Sequence, residues 1–115
     1  MELGWAIIGC SDIVRKRGAP ALRTQTHSRL VAICSRDRDR AQAFSEEFDA
    51  EYGTDDLDQV LSDDRIEAVY VATEVDRHSE LALAALHAGK HVLVEKPMAL
   101  NVTEARTMIE AARAS

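Results

Sequence analysis

The sequence is short of the residues that build cross-linked or metal-held scaffolds. Two cysteines, Cys10 and Cys34, stand among 115 residues, with no Cys-x-x-Cys pair and no His/Cys spacing suited to zinc. That pattern points away from a disulfide framework and a metal site, and the two thiols read as small buried side chains in a reducing cytoplasm. Basic residues are outnumbered, 14 Lys plus Arg against 20 Asp plus Glu, a formal net charge of −6. An acidic balance argues against nucleic acid or an anionic membrane as the main partner. No apolar run approaches the ~20 residues of a membrane span, and no basic segment precedes the apolar stretch at Trp5–Ile8, so neither a transmembrane helix nor a signal peptide is expected. Linkers, repeats and low-complexity segments are absent from the sequence.

What is present is an ample apolar fraction, 46%, arranged in runs that alternate with helical patterns. The runs Trp5–Ile8, Leu30–Cys34 (LVAIC), Ala68–Ala72 (AVYVA) and His91–Val94 (HVLV) read as strands buried on both faces, with a weaker strand near Ala50–Tyr52. Between them, Ile13–Leu22 is interrupted by Gly18 and Pro20, which predicts one or two turns and then a second segment with Pro20 at its first position. Ala41, Phe44 and Phe48 share one helical stripe, Leu57–Leu61 fits a short helix, and Ser79–Ala88 ends at Gly89, suited to the left-handed position past a helix. Asn101 with Glu104 resembles a capping box ahead of a helix whose apolar face is Val102, Ala105, Met108, Ile109 and Ala112. Alternation of this kind predicts one α/β domain, a doubly wound parallel sheet of about five strands.

Ligands of open α/β sheets collect beyond the carboxyl ends of the strands. After the first strand, Gly9, Cys10, Ser11, Asp12, Ile13 and Val14 match the G-x-G-x-x-G/A fingerprint only at Gly9. Ser11 can donate to a phosphate oxygen or simply cap the helix. The second strand ends in Ser35 and Arg36, with Arg40 one turn on. An Arg there accommodates a 2′-phosphate where Asp or Glu would take ribose hydroxyls, which favours NADP over NAD. The alternative is a solvated helix start, with Asp37 and Asp39 pairing the arginines. The last strand runs into Glu95, Lys96 and Pro97. This pair suits hydrogen bonding to a substrate hydroxyl or a cofactor ribose, and is otherwise a surface ion pair.

Taken together, WAIIGCSDI, LVAICSRDRDRAQAF, IEAVYVATEVDRHSELALAALHAGKHVLVEKPMAL and the closing EAR and EAA resemble the amino-terminal Rossmann domain of the Gfo/Idh/MocA oxidoreductases. The resemblance covers nearly the whole chain, and AGKHVLVEKPMAL is its most specific part. The Gly-x-Ser form of the first loop is similar to the branch of 1,5-anhydrofructose reductase and related NADP-dependent sugar dehydrogenases. It implies hydride transfer between a nicotinamide cofactor and a sugar or polyol. Gly9, Cys10, Ser11, Asp12 and Ile13 would line the pyrophosphate loop, and Ser35, Arg36 and Arg40 would surround the adenosine ribose and its phosphate. Thr73, Glu74, Val75, Asp76, Arg77 and His78 would form the loop facing the nicotinamide half. Glu95 would touch the nicotinamide ribose, and Lys96 would be the catalytic lysine that orients substrate and assists proton transfer.

Two departures qualify these expectations. Glu74, Val75 and Asp76 stand where the family usually has Pro-Asn ahead of its His, bringing carboxylates toward a polyanionic cofactor. His78 itself is either a cofactor ligand or a helix-capping or packing residue. The family also continues into one more Rossmann strand and a substrate domain, so the 115 residues read as the cofactor-binding part of a larger enzyme, inactive alone. A non-catalytic nucleotide-binding or regulatory module is the alternative. His91–Val94 is expected at an open sheet edge, where self-association would follow.

Overall fold

The computed structural model describes residues 2–115. Its apolar runs form five strands: β1 (Leu3–Ile8), β2 (Ser28–Cys34), β3 (Tyr52–Thr54), β4 (Ala68–Val71) and β5 (His91–Val94). All pairings are parallel, in the order β3-β2-β1-β4-β5. The chain thus winds outward from β1 first to one side and then to the other, and β2 and β4 become the two neighbours of β1. A parallel strand must be reached by a crossover, and the crossovers lay helices on both faces. They are α1 (Ala19–Thr24), entered through a π turn at Val14–Gly18, then α2 (Arg38–Glu47), α3 (Leu57–Leu61) and α4 (His78–His87), preceded by a 3-10 turn at Val75–Arg77; α5 (Val102–Ala114) follows β5 and packs against α4.

The alternation of strand side chains divides the core in two. Ile7, Ile33 and Tyr70 pack with Val14, Ala19, Phe44 and Phe48 on one face. Ala6, Ile8, Val69 and Val71 pack with Val60, Leu81 and Ala85 on the other. β4 is buried along its whole length, which explains why AVYVA carries no polar alternation. Gly89 takes the left-handed conformation expected of it, with φ 80°.

Three local readings are corrected. The segment at Gly18 and Pro20 does not break into two helices. The Ala19 N–H reaches back to the Val14 carbonyl, an i→i−5 bond, so a π turn carries the helix onward into α1, whose second residue is Pro20, one past the expected first position. Gly18 is required there, because a Cβ would lie 2.6 Å from the Tyr70 ring. The third strand begins at Tyr52, paired with Ala32, and not at Ala50. Asp49 still holds φ 61° and the Ala50 N–H still bonds the Ser45 carbonyl, so the chain is only then leaving α2. On α5, Asn101 Oδ1 accepts from the Glu104 N–H at 2.9 Å, while Glu104 Oε1 accepts from the Leu100 N–H and not from that of Asn101. Of its expected apolar face only Met108 is buried, with Val102 66% exposed.

β5 is an edge strand, as expected. Leu93, opposite Tyr70 in register, is 52% exposed and lines an open groove. Among the described residues no helix is long and apolar enough to cross a membrane.

Candidate functional site

The loops beyond β1, β2 and β4 meet above adjacent strand tips and enclose a cleft of about 610 Å³. Ten of the residues singled out in the sequence line it: Gly9, Cys10, Ser11, Asp12, Ser35, Arg36, Arg40, Thr73, Glu74 and Arg77. The first loop is clamped between its neighbours. The Gly9 N–H donates to the Cys34 carbonyl at 2.8 Å, and the Ala72 N–H to the Ile8 carbonyl at 2.9 Å. Gly9 has φ 115°, and a Cβ there would sit 2.6 Å from the Ala72 carbonyl oxygen, so glycine is obligatory for this approach.

Ser11 resolves one of the open alternatives. Its backbone carbonyl accepts from the Arg15 N–H, yet its Oγ is buried without a partner, so the hydroxyl caps nothing. A buried hydroxyl left unpaired calls for an explanation. An anion seated at the amino end of the helix beginning at Asp12 would give it an acceptor. The pyrophosphate of a dinucleotide therefore fits the loop.

At the tip of β2, Asp37 Oδ1 accepts from the Arg40 N–H and caps α2, and Ser35 Oγ accepts from the Asp37 N–H. Arg36 extends toward the loop after β4, where its Nη2 lies 3.6 Å from Glu74 Oε2. Arg40 braces the first loop: its Nε and Nη2 both donate to the Cys10 carbonyl, at 3.0 and 2.8 Å, and its guanidinium stacks over Phe44. Arg77 pairs with Glu80. Burial pushes the Cys10 thiol up, and that of Cys34 to about 11, so both are buried thiols without nucleophilic character.

The remaining residues fall elsewhere. Ile13, Glu95 and Lys96 line a second groove of about 500 Å³, with Gly18, Tyr70 and Leu93. There the Tyr70 hydroxyl donates to Glu95 Oε2, and Glu95 Oε1 accepts from the Lys96 N–H. The Tyr70 hydrogen bond is the main cause holding the Glu95 carboxyl below its usual range. Lys96 is exposed, and the Lys96–Pro97 peptide is cis. His78 is 1% exposed and lies outside the cleft lining. Its Nδ1 is 2.9 Å from the Pro97 carbonyl and its Nε2 2.9 Å from the Thr73 carbonyl. Both ring nitrogens thus lie within hydrogen-bond distance of a backbone carbonyl, one in the loop after β4 and one at the corner after β5. Val75 and Asp76 lie on the 3-10 turn, outside both cavities.

Sequence reasoning missed Tyr70 as the partner of Glu95. The signal was a lone phenol in an otherwise aliphatic strand, since a buried Tyr hydroxyl needs a partner. Among the described residues no cluster of His, Cys, Asp or Glu could hold a metal ion.

Residues 3–115 match the family model of an oxidoreductase family with an NAD-binding Rossmann fold, GFO_IDH_MocA. The chain is 38% identical over 109 residues to 1,5-anhydro-D-fructose reductase of Ensifer adhaerens, covering 95% of this chain and 32% of that protein. Oxidoreductase P35 of Formosa agariphila is 35% identical over 114 residues, covering 99% of this chain and 36% of the relative. Among solved structures, KijD10, a 3-ketoreductase from Actinomadura kijaniata in complex with TDP-benzene and NADP, superposes with a TM-score of 0.94 at 36% identity, covering 99% of this chain and 36% of that one. GenD2 from gentamicin A biosynthesis, in complex with NAD, gives 0.90 at 32% identity over 98% of this chain and 32% of that one. The chain spans about a third of the length of these relatives. On the family-model match over residues 3–115 and these relatives, the chain belongs to the Gfo/Idh/MocA oxidoreductase family and forms that family's NAD-binding Rossmann domain.

Proposed function

We propose that the cleft holds the adenosine and pyrophosphate of NADP(H), with NAD as a weaker ligand, as the cofactor half of a sugar or polyol oxidoreductase. The observation that carries the reading is the unpartnered Ser11 hydroxyl on a helix-initiating loop, with Arg36 at the neighbouring strand tip and no carboxylate at the tip position itself. In this reading Ser11 and the loop N–H groups take the pyrophosphate, and Ser35 and Arg36 the 2′-phosphate. Thr73 and Arg77 border the path toward the nicotinamide. When bound, the nicotinamide exchanges hydride with a carbon of the sugar or polyol. Tyr70 fixes Glu95 to accept from a ribose hydroxyl, and Lys96, exposed beside it, orients a substrate hydroxyl and carries its proton at Nζ. His78 positions the Lys96 corner relative to the loop after β4.

The relatives support the substrate class: they include a 1,5-anhydro-D-fructose reductase and a 3-ketoreductase. Isothermal titration with NADPH and NADH tests the cofactor reading, with NADPH expected to bind more tightly. Failure of both to bind at millimolar concentration overturns it. Lys96 is exposed on the second groove, and the one carboxylate beside it, Glu95, is already held by Tyr70, so the chain alone is expected to show no turnover on any sugar.

A further inference from the structure

We propose that Glu74 sets cofactor choice together with Arg36: by neutralising the arginine, it lowers the cleft's preference for a 2′-phosphate over a free ribose hydroxyl. The inference rests on the dinucleotide reading of the cleft and adds to it a residue from a different loop.

The charges on the cleft wall are Arg36, Arg40 and Arg77 against Asp12, Asp37, Asp55 and Glu74. Two of the three cations are spent on internal bonds. Arg40 donates twice to the Cys10 carbonyl, and Arg77 pairs with Glu80 in the first turn of α4. Arg36 is left to receive a phosphate, and among the described residues its ion-pair partner is Glu74, at 3.6 Å. Their positions follow from topology. Arg36 lies just beyond β2 and Glu74 just beyond β4, the two strands flanking β1, so the pair spans the first loop and stands over Gly9 and Ser11.

The pair is a loose latch. Its side chains are 72% and 78% exposed, and solvent screens such a contact to a small net energy. A phosphate dianion, offering shorter charge-assisted and bidentate bonds to the guanidinium, displaces the carboxylate. Displaced, Glu74 still stands beside that dianion and repels it, whereas a ribose hydroxyl meets no such repulsion. The first effect acts on the 2′-phosphorylated cofactor alone, and the second falls on it more heavily than on a cofactor carrying only the pyrophosphate. Selectivity is thus a difference between an attractive and a repulsive element.

The test is calorimetric titration of NADP⁺ and NAD⁺ into the unaltered chain, Glu74→Gln, Arg36→Ala and the double variant. Both positions are exposed, so folding is expected to be unaffected, which thermal melts verify. Glu74→Gln is expected to raise NADP⁺ affinity by about three- to tenfold with NAD⁺ changed by less than about twofold. That gain is expected to shrink to about twofold or less in the Arg36→Ala background, since two coupled residues do not act additively. It should also fall as salt is raised. A NADP⁺ to NAD⁺ ratio unmoved by Glu74→Gln, or moved equally with and without Arg36, overturns the proposal. If neither cofactor binds the unaltered chain, the cofactor reading fails and this inference falls with it.

Discussion

The cleft over β1 and the groove beside β5 are built from different materials. The cleft stands on strands paired on both sides, its loop carbonyls and N–H groups bonded to their neighbours. Arg40 and Arg77 are bonded within the chain, Arg36 is held only by an exposed contact to Glu74, and the Ser11 hydroxyl is unpartnered. The groove has apolar walls from Gly18, Leu22, Tyr70 and Leu93, with Glu95 and Lys96 on its rim, and one wall is an edge strand. A pocket whose walls are braced from every side recognises a ligand by fixed geometry. One open along an edge gathers chemistry, here a carboxylate and an ammonium, without enclosing it.

The contrast breaks most severely at Gly9. Gly9→Ala forces a side chain onto φ 115° and against the Ala72 carbonyl. It is expected to lower stability by about 2 kcal/mol or more and to abolish cofactor binding, readable by denaturant titration and calorimetry. Next is Arg40→Ala, which removes two charge-assisted bonds to the Cys10 carbonyl. About 1–2 kcal/mol is at stake, and both cofactors are expected to bind about tenfold more weakly. A change confined to NADP⁺ would instead mean that Arg40 contacts the 2′-phosphate directly.

In the groove the effects are smaller. Tyr70→Phe leaves the ring against Gly18 and removes the hydrogen bond to Glu95, a loss of about 1 kcal/mol. The sign with pH follows from the direction of the Glu95 shift. A carboxyl held below its ordinary value, about 4.3 for Glu, stabilises the fold above that pH. This contribution disappears as pH falls through the lower, folded value. Melting profiles across the acid range should therefore show the difference between Tyr70→Phe and the unaltered chain at neutral pH and its disappearance in acid. The smallest change is expected from Leu93→Asp, within about 0.5 kcal/mol in stability and without effect on the cleft. We propose that the open β5 edge pairs with a second copy, so this variant should abolish the concentration-dependent association that light scattering detects; an unaltered chain that stays monomeric when concentrated would sink that idea.

Most elements were legible because burial writes a period into the sequence. The aliphatic runs became β1, β2, β4 and β5, and the Ala41, Phe44, Phe48 stripe lies in the core. The misreadings arose where the pattern does not distinguish backbone geometries. A π turn and a broken helix both accommodate Gly18 and Pro20, and the left-handed Asp49 that delays β3 leaves no mark on hydropathy. The site was legible as loops and less so as contacts. Arg36 with Glu74 and Tyr70 with Glu95 join positions that only the strand order makes neighbours. His78 stood in a ligand-rich loop by sequence, yet its ring faces two backbone carbonyls, a role that no local spacing distinguishes from ligation.

The pair of hydrogen bonds from Arg40 to the Cys10 carbonyl has a kinetic meaning. A loop already immobilised by a guanidinium has little freedom left to lose when a ligand arrives, so encounter need not wait for the loop to find its shape. Two cofactors differing by one phosphate then arrive through the same preformed mouth at similar rates, and their discrimination is written in how long each one stays.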